Sequence, residues 1–429
     1  MTDCRAGAAP SGRTAELLES AWSALGGQPD LLDRVQVTGN EDGLLPSALP
    51  ALPAMVAAVC CSTLAAAALD SVRTGTPVAT VRVAPEHVAV AARSERYARA
   101  GAGGAPELFA PLSRFYQTAD GWLRLHANYP WHRERALRVL GLAGHMDIDP
   151  RDVAAAVRHR RGVEVEDALA EAGALGSAVR TRSQWREHPQ GKAVAELPVL
   201  DRDLHDRGSA RVGPGRAAAG IRVLDLTRVI AGPVATRTLA GWGAQVLRLD
   251  SSRLPEIAAQ ALDTLPGKRS ALLDIDTPTG RGRLEELLGG ADVLVQGYRP
   301  GALARHGLAA ADLADRHPHL SVVTLTAWGP TGPWAARRGF DSLVQCSTGI
   351  ADAEGSKRRP GTLPAQVLDH ATGYLAAAAA LLALADSATG GRPGLPGCRW
   401  PRRHSGSAVP ARPYRRQPRS VRPTRLRGW

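Results

Sequence analysis

The chain has 429 residues, of which 44% are hydrophobic, so it is long enough for two or three domains with ample cores. Its formal charge of +12 is concentrated in residues 391–429, which contain eleven arginines and no acidic residue. Residues 1–390 therefore carry only +1, which argues against a nucleic-acid-binding protein. The five cysteines show no metal-ligand spacing, and Cys60 and Cys61 in an apolar run predict buried thiols in a reducing compartment.

The first half of the chain predicts a smaller α+β domain over residues 1–200. Residues 1–50 are weakly patterned and begin without the apolar segment of a signal peptide, from which we expect a cytoplasmic protein. The Ala-rich run over 51–70 predicts a buried helix rather than a membrane span. Further patterns predict a strand at 77–83, helices at 85–92, 130–141, 150–160 and 163–173, and a hairpin at 115–125 around Asp120-Gly121.

Residues 201–219 are polar and rich in Gly and Pro, and predict a linker. After it, residues 220–250 predict a βαβ unit. An apolar run at 221–226 indicates a buried strand, and Pro233 suits the first position of a helix that ends near Trp242. A second strand at 245–249 follows and leads into Asp250. A strand–helix–strand unit of this length implies a parallel sheet, which binds ligands at the carboxyl ends of its strands.

The same alternation of predicted strands and helices continues to residue 390 and predicts an α/β fold with a Rossmann-like large domain over 220–390. Strands are predicted at 270–275, 292–295 and 320–325, and a helix capped by Thr277 at 278–288. Asp369 stands just ahead of a predicted apolar helix at 374–385.

Residues 391–429 have neither a helical nor a strand period, and their eleven Arg and seven Pro cannot build a core. They predict either a disordered basic tail or the translation of a shifted reading frame.

Residues 219–386 resemble the N-terminal half of the class III CoA-transferase family, which includes the α-methylacyl-CoA racemases. The motifs that carry the resemblance occur in the family's order. They are VLDLTR at 223–228, AGP at 231–233, GAQVL at 243–247, GKRS at 267–270, LD at 273–274, ADVLV at 291–295, YRPG at 298–301, GP at 332–333, GFD at 339–341 and DHATG at 369–373.

The resemblance implies a nucleophilic aspartate, because the family's catalytic Asp is followed four positions later by Gly. Asp369 and Gly373 match this pattern. In the family, the carboxylate attacks an acyl-CoA thioester and passes through an anhydride and an enzyme–CoA thioester, which splits one hard exchange into easier steps. The alternative reading is that Asp369 only caps the helix that follows it.

The resemblance also implies contacts with coenzyme A, which is a substrate here rather than a resident cofactor. Its phosphates attract cations and backbone N–H groups. The implied contacts are Val229, Ile230, Lys268, Tyr298, Arg305 and Arg338. For each single cation the alternative is a solvated surface charge. Two positions depart from the family pattern, since Ser251 rather than Arg follows Asp250, and Gly297 replaces the usual Asn.

The same resemblance implies an acyl-CoA and a carboxylic acid acceptor as substrates, and a homodimer. From the charge, the cysteine spacing and the Ala-rich run described above, we expect neither nucleic acid, nor a metal, nor a membrane as partner. Three alternatives remain. The first is an acyl-CoA racemase, which Phe340 disfavours because racemases carry a proton-transferring His there. The second is a degenerate, non-catalytic CoA-binding protein. The third, a nicotinamide-binding domain, would use Asp250 for a ribose but lacks the G-x-G-x-x-G turn.

Residues 51–200 resemble the C-terminal part of the same family through the Ala-rich helix, YQTADGW at 116–122 and QWREHP at 184–189. No Asp precedes this Ala-rich helix in the way that Asp369 precedes its own. The two halves of the family are therefore predicted to stand in rearranged order and to form one active unit together.

Overall fold

The computed structural model describes residues 7–10, 12–99, 109–144, 147–200, 215–356 and 358–389. The predicted tail at 391–429 and most of the predicted linker, residues 201–214, lie outside the described residues.

The described residues before the linker form nine helices and two small sheets. In chain order the helices are α1 (Gly12–Ala24), α2 (Ala51–Thr74), α3 (Pro85–Ala91), α4 (Ser94–Tyr97), α5 (Pro130–Val139), α6 (Pro150–Val157), α7 (Gly162–Glu171), α8 (Arg182–Glu187) and α9 (Pro189–Ala195), with a 3₁₀ turn at Pro29–Arg34. The strands are β1 (Val35–Val37), β2 (Val81–Val83), β3 (Phe115–Gln117), β4 (Trp122–Leu125) and β5 (Gly176–Ala178).

Strands β1 and β2 pair in parallel, whereas β3, β4 and β5 form an antiparallel sheet in that order. The β3–β4 pair confirms the predicted hairpin, since Gln117 lies opposite Trp122 across the turn. The strand predicted at 77–83 is shorter, and only its last three residues pair with a neighbour. Sequence patterning missed α1, α4, α8, α9, β1 and β5.

The described residues after the linker contain a five-stranded parallel sheet in the order β10-β9-β6-β7-β8. The strands are β6 (Arg222–Leu226), β7 (Gln245–Asp250), β8 (Lys268–Leu272), β9 (Val293–Gln296) and β10 (Ser321–Thr324). The helices are α10 (Ala231–Gly241), α11 (Ala258–Thr264), α12 (Pro278–Gly290), α13 (Ala310–Arg316), α14 (Asp341–Ser347), α15 (Ile350–Ala353) and α16 (Val367–Ala388), with a 3₁₀ turn at Ala304–His306. The mixed α/β fold predicted from the sequence is confirmed.

Several helix and strand boundaries differ from the predicted ones. Pro233 is the third residue of α10 rather than the first, which is tolerated because the N–H of that position also lacks a partner within the helix. The strand predicted at 270–275 begins two residues earlier and ends at Leu272. Thr277 caps α12 as predicted, since its side chain accepts from the N–H of Gly280 at 3.0 Å.

The two Ala-rich helices, α2 and α16, pack against each other, and α16 also packs on α10. Their buried side chains join one hydrophobic core that contains residues from both sides of the predicted linker. Cys60 and Cys61 are buried free thiols in α2, as predicted. By length and composition alone, each of the two helices would suffice to cross a membrane, yet most of each is buried inside the described protein.

The end of the predicted linker is attached to α2. Arg73 donates to the carbonyl oxygens of Ala217 and Ala219, at 2.5 and 2.8 Å, and Asp70 accepts from the N–H of Ala217 at 2.7 Å. The start of the parallel sheet is therefore held against the helix from the other half of the chain.

Candidate active site

Asp369 lies in the first turn of α16, not ahead of it as predicted, because the helix begins at Val367. A carboxylate in this position is favoured by the helix dipole. Its backbone N–H donates to Asp341 Oδ2 at 3.1 Å. Asp341, the first residue of α14, therefore accepts from one of the N–H groups that have no partner within α16. This contact fixes the nucleophile candidate beside a second carboxyl.

Gly373 lies one turn after Asp369, where α16 packs closely against α10. A Cβ at this position would lie 2.6 Å from the carbonyl oxygen of Ala231 and 2.8 Å from the Cβ of Val234. A residue four positions from Asp369 shares its helix face. The glycine therefore lets this face of α16 approach the first turn of α10.

The carboxyl groups at this helix end perturb one another. Burial raises the pKa of Asp369 well above its ordinary value, and the neighbouring Asp341 and Glu95 carboxylates raise it further. Burial also raises the pKa of Asp341, to about 6, against the opposing hydrogen bonds from Gln345 and from the backbone of Asp369. Strongly perturbed acids in one place are typical of catalytic sites. Sequence reasoning missed Asp341 and Glu95 as members of this group.

Val229 and Ile230 form the turn between β6 and α10. Val229 has φ of 68°, a left-handed conformation that is rare for a β-branched residue and stores strain. Its N–H donates to Glu256 Oε2 at 3.0 Å. Ile230 is buried and precedes α10 directly. The turn is held in a strained shape by a carboxylate that the sequence analysis did not single out.

Glu256 connects this turn with the first half of the chain. It accepts from Arg248 Nη2 at 2.9 Å and from the hydroxyl of Tyr129, and it lies 3.6 Å from Arg228 Nη2. The Arg228 guanidinium covers the ring of Tyr129 at 4.8 Å and that of Trp131 at 5.6 Å. Tyr129 and Trp131, at the start of α5, therefore pack on Arg228, which follows the carboxyl end of β6.

Lys268 is held by partners within the protein. Its side chain is fully buried, and Nζ donates to Asp225 Oδ2 at 3.1 Å, to Thr236 Oγ1 at 2.6 Å and to the carbonyl oxygen of Pro233 at 2.9 Å. With these partners the ammonium joins β6, β8 and α10 beneath the turn. A direct phosphate contact, which the resemblance implied for Lys268, does not fit this position, because an ammonium has only three donors.

Tyr298 and Arg338 are both partly buried, and Arg338 contacts the first half of the chain. Tyr298 is partly buried, and burial raises its pKa. Arg338 Nη1 lies 3.5 Å from the carbonyl oxygen of Gly173, to which Arg135 Nη1 also donates at 3.3 Å. Burial lowers the pKa of Arg338, and the charges of Arg299 and Arg135 lower it further. The guanidiniums of Arg338 and Arg135 thus approach the same carbonyl oxygen, and the charge of Arg299 acts on Arg338 as well. Positive charge is concentrated in this place.

We call Arg135, Arg299 and Arg338 the arginine cluster. Within the described part of the chain, none of the three forms an ion pair with a carboxylate. Such a cluster attracts phosphate groups. Arg305, by contrast, is exposed and pairs with Asp276 at 3.2 Å, outside this cluster. Among the described residues, no group of three or more His, Cys, Asp and Glu side chains could hold a metal ion.

Phe340 stacks on His126, with ring centroids 4.1 Å apart and an angle of 18° between the rings. His132 meets the same ring edge-on at 6.1 Å. Burial lowers the pKa of both histidines to about 3, with nearby arginines contributing. Sequence reasoning noted that position 340 lacks a His but missed that the other half of the chain places two neutral imidazoles against it.

The described part of the chain after the predicted linker thus combines a parallel α/β sheet, a perturbed aspartate in the first turn of α16 and a strained turn at Val229. Residues 218–394, about two fifths of the chain, match the model of CoA-transferase family III.

Curated proteins that resemble the chain include several CoA-transferases. The chain is 32% identical over 301 residues to an acyl-CoA transferase of Gibberella moniliformis, covering 64% of this chain and 52% of the relative. It is 34% identical over 189 residues to a probable fatty acyl-CoA transferase of Mycobacterium tuberculosis (40% and 47% covered), and 33% identical over 181 residues to human succinyl-CoA:glutarate CoA-transferase (38% and 41%). The chain spans about half the length of the curated relatives that it matches.

Among solved structures, the M. tuberculosis protein Rv3272 in its orthorhombic form matches 41% of this chain and 50% of its own, at 34% identity and a TM-score of 0.38.

Proposed function

We propose that the protein transfers CoA between an acyl-CoA thioester and a carboxylic acid, with Asp369 as the nucleophile. The observation that carries this proposal is the place of Asp369 in the first turn of α16, beside Asp341 and one turn before the contact of Gly373 with α10. The match of residues 218–394 to the model of CoA-transferase family III supports the reaction class.

The reaction balances through four acyl transfers. The Asp369 carboxylate attacks the thioester carbonyl, which forms a mixed anhydride and releases CoA thiolate. The thiolate attacks the aspartyl carbonyl, which forms an enzyme–CoA thioester and releases the donor acid. The acceptor carboxylate attacks this thioester, and the thiolate that leaves then attacks the acceptor's acyl carbonyl. The products are a new acyl-CoA and the free carboxylate of Asp369.

The arginine cluster is proposed to hold the phosphates of CoA. Arg135 of the first half and Arg338 of the second half meet there at the carbonyl oxygen of Gly173. The homodimer, the cytoplasmic location and the joint action of the two rearranged halves also remain proposals.

Hydroxylamine trapping tests the nucleophile. The protein is incubated with acetyl-CoA and hydroxylamine, which cleaves an enzyme–CoA thioester to an aspartyl hydroxamate that peptide mass mapping locates. We expect the hydroxamate at Asp369 and its absence from Asp369→Ala. The matched control is Asp352→Ala, which removes an exposed aspartate from α15. A hydroxamate at another residue, or none in the wild type, would contradict the proposal.

A further inference from the structure

The first turn of α16, which carries Asp369, has no cap of its own. The residue before the helix, Gln366, makes no side-chain hydrogen bond to the N–H groups of that turn. The hydrogen bonds within the helix begin with His370, whose N–H donates to the carbonyl oxygen of Gln366 at 3.0 Å. The N–H of Asp369 therefore needs an acceptor from elsewhere in the protein, because α16 offers it none.

Asp341 supplies that acceptor from α14. Its Oδ2 accepts from the N–H of Asp369 at 3.1 Å, and the residue is 3% exposed. Asp369 is the third residue of α16, which begins at Val367. The side chain of an N-cap residue accepts from the N–H of this same position in its own helix. Asp341 thus caps α16 from a different helix, 28 positions earlier in the chain.

Gln345 holds the carboxyl group of Asp341 in place. The two residues lie four positions apart in α14 and therefore share one face of that helix. Gln345 Nε2 donates to Asp341 Oδ1, and Gln345 Oε1 accepts from the N–H of Leu363 at 2.9 Å. Gln345 is 1% exposed. Because both ends of its amide are bonded, Asp341 keeps one carboxyl oxygen for Gln345 and the other for Asp369.

Helix α14 is attached in turn to the first half of the chain. The N–H of Arg180 donates to the carbonyl oxygen of Cys346 at 2.9 Å. The buried hydroxyls of Ser177, in β5, and Ser347 lie 2.6 Å apart. A connected set of contacts therefore leads from β5 through α14 to the backbone of Asp369.

We propose that Gln345 and Asp341 are positioning residues for the nucleophile. Gln345 fixes the carboxyl group of Asp341, and Asp341 caps the first turn of α16, so that the side chain of Asp369 keeps one direction. This role requires an acceptor oxygen at position 341 and not a negative charge. The inference rests on the proposed function, in which Asp369 attacks the thioester.

An exchange of the two side chains separates the acceptor from the charge. In Asp341→Asn an amide nitrogen replaces one carboxyl oxygen and meets the N–H donor of either Gln345 or Asp369, so one hydrogen bond is lost. In the double variant with Gln345→Glu, the new amide at position 341 donates to the new carboxylate at position 345, which still accepts from Leu363. The three hydrogen bonds are then restored, with the charge moved by one helical turn.

Two measurements compare these variants with the wild type. Amide hydrogen exchange of the peptide that contains Asp369 reports on the cap without turnover, and hydroxamate formation from acetyl-CoA reports on the direction of the nucleophile. Asp341→Asn should speed the exchange by about tenfold, as the loss of a cap does. It should slow hydroxamate formation at saturating acetyl-CoA by about 100-fold, as a displacement of about 1 Å does. The double variant should recover both rates.

The acetyl-CoA concentration that gives half of the maximal rate should be the same in all variants, because the arginine cluster is unchanged. Asp312→Asn is the matched control, since it removes an exposed aspartate from the first turn of α13. This control should change neither the exchange nor the hydroxamate formation.

Unchanged hydrogen exchange in Asp341→Asn would overturn the inference. So would a double variant that has wild-type exchange but forms no hydroxamate, because the reaction would then need the charge of Asp341 itself. If the wild type forms no hydroxamate while the exchange responds as expected, the cap is upheld and the proposed function fails. Should Asp341→Asn not fold, Gln345→Met removes only the partner that holds the carboxyl group. Wild-type rates of both exchange and hydroxamate formation in Gln345→Met would then be the contradicting result.

Discussion

Gly373 and Ala231 touch across the α10–α16 interface, where the space for a Cβ on Gly373 is already occupied by the Ala231 carbonyl. The carbonyl belongs to the first turn of α10 and cannot move without that turn. This contact explains in physical terms why a glycine four positions after Asp369 is required. It sets the distance between the nucleophile candidate and the turn at Val229.

Gly373→Ala should therefore force α16 away from α10. We expect a loss of stability of about 1–3 kcal/mol, typical of overpacking, and a larger loss of hydroxamate formation because Asp369 moves with the helix. Urea unfolding and trapping measure the two effects. Gly282→Ala in the exposed face of α12, where nothing lies within 4 Å of the new Cβ, is the control and should stabilise by about 0.5–1 kcal/mol. Equal stability changes in both variants would refute the contact.

Replacing Lys268 should lower the free energy of unfolding rather than weaken CoA binding directly. Lys268→Met leaves the Asp225 carboxylate buried without its cation, which costs about 3–5 kcal/mol. The double variant Asp225→Asn with Lys268→Met should recover part of this loss. Urea unfolding measures both, with Lys192→Met, at an exposed lysine, as the control. A Lys268→Met protein of normal stability that no longer binds CoA would show that the ammonium faces the ligand.

The arginine cluster predicts a role for Arg135, which comes from the first half of the chain. Arg135→Gln should weaken CoA binding by about tenfold, or about 1.4 kcal/mol, with the salt dependence of binding reduced. Arg138→Gln is the matched control, since it removes an exposed arginine on the same helix that pairs with Glu134. Titration calorimetry with CoA compares them. Identical affinities would place the phosphates elsewhere.

His126 predicts how stability depends on pH. Its folded pKa of about 3 lies below its unfolded value, so its contribution is complete above about pH 6.5 and declines as the pH falls towards 3. His126→Gln removes this contribution. Below about pH 6.5 the stability of the wild type should fall more steeply than that of the variant, by about 1.4 kcal/mol per pH unit. Parallel profiles from urea unfolding at several pH values would contradict this.

Much of the fold could be predicted because its signals are local. The apolar runs of β6 and β9, the cap at Thr277 and the turn at Asp120-Gly121 each depend on a few adjacent residues, and the structure has them where the patterns indicated. Helix α1 was missed although its buried Leu17, Leu18, Ala21 and Trp22 have helical spacing, and β1 was missed because it has only three residues. Helix α1 packs against α2, and β1 pairs with β2, so both depend on contacts with distant residues.

Some features of the candidate site could likewise be predicted from the sequence, and others could not. Asp369 and Gly373 were predicted together because the DHATG motif resembles that of the family. The same resemblance implied a CoA contact for Lys268, but the sequence gives the charge of this residue and not the direction of its side chain. In the folded protein it points beneath the turn, towards Asp225.

The βαβ order and the Ala-rich helices could be predicted from residue type and short spacing, whereas Asp369 became the nucleophile candidate through the family resemblance of its motif. The charges around Asp369 depend on how distant elements pack in the folded protein. Glu95, Asp341 and His370 meet because α4, α14 and α16 converge, and Arg135 meets Arg338 because the two halves pack together. Electrostatic energies depend on distance and burial, and neither can be read from positions that lie hundreds of residues apart.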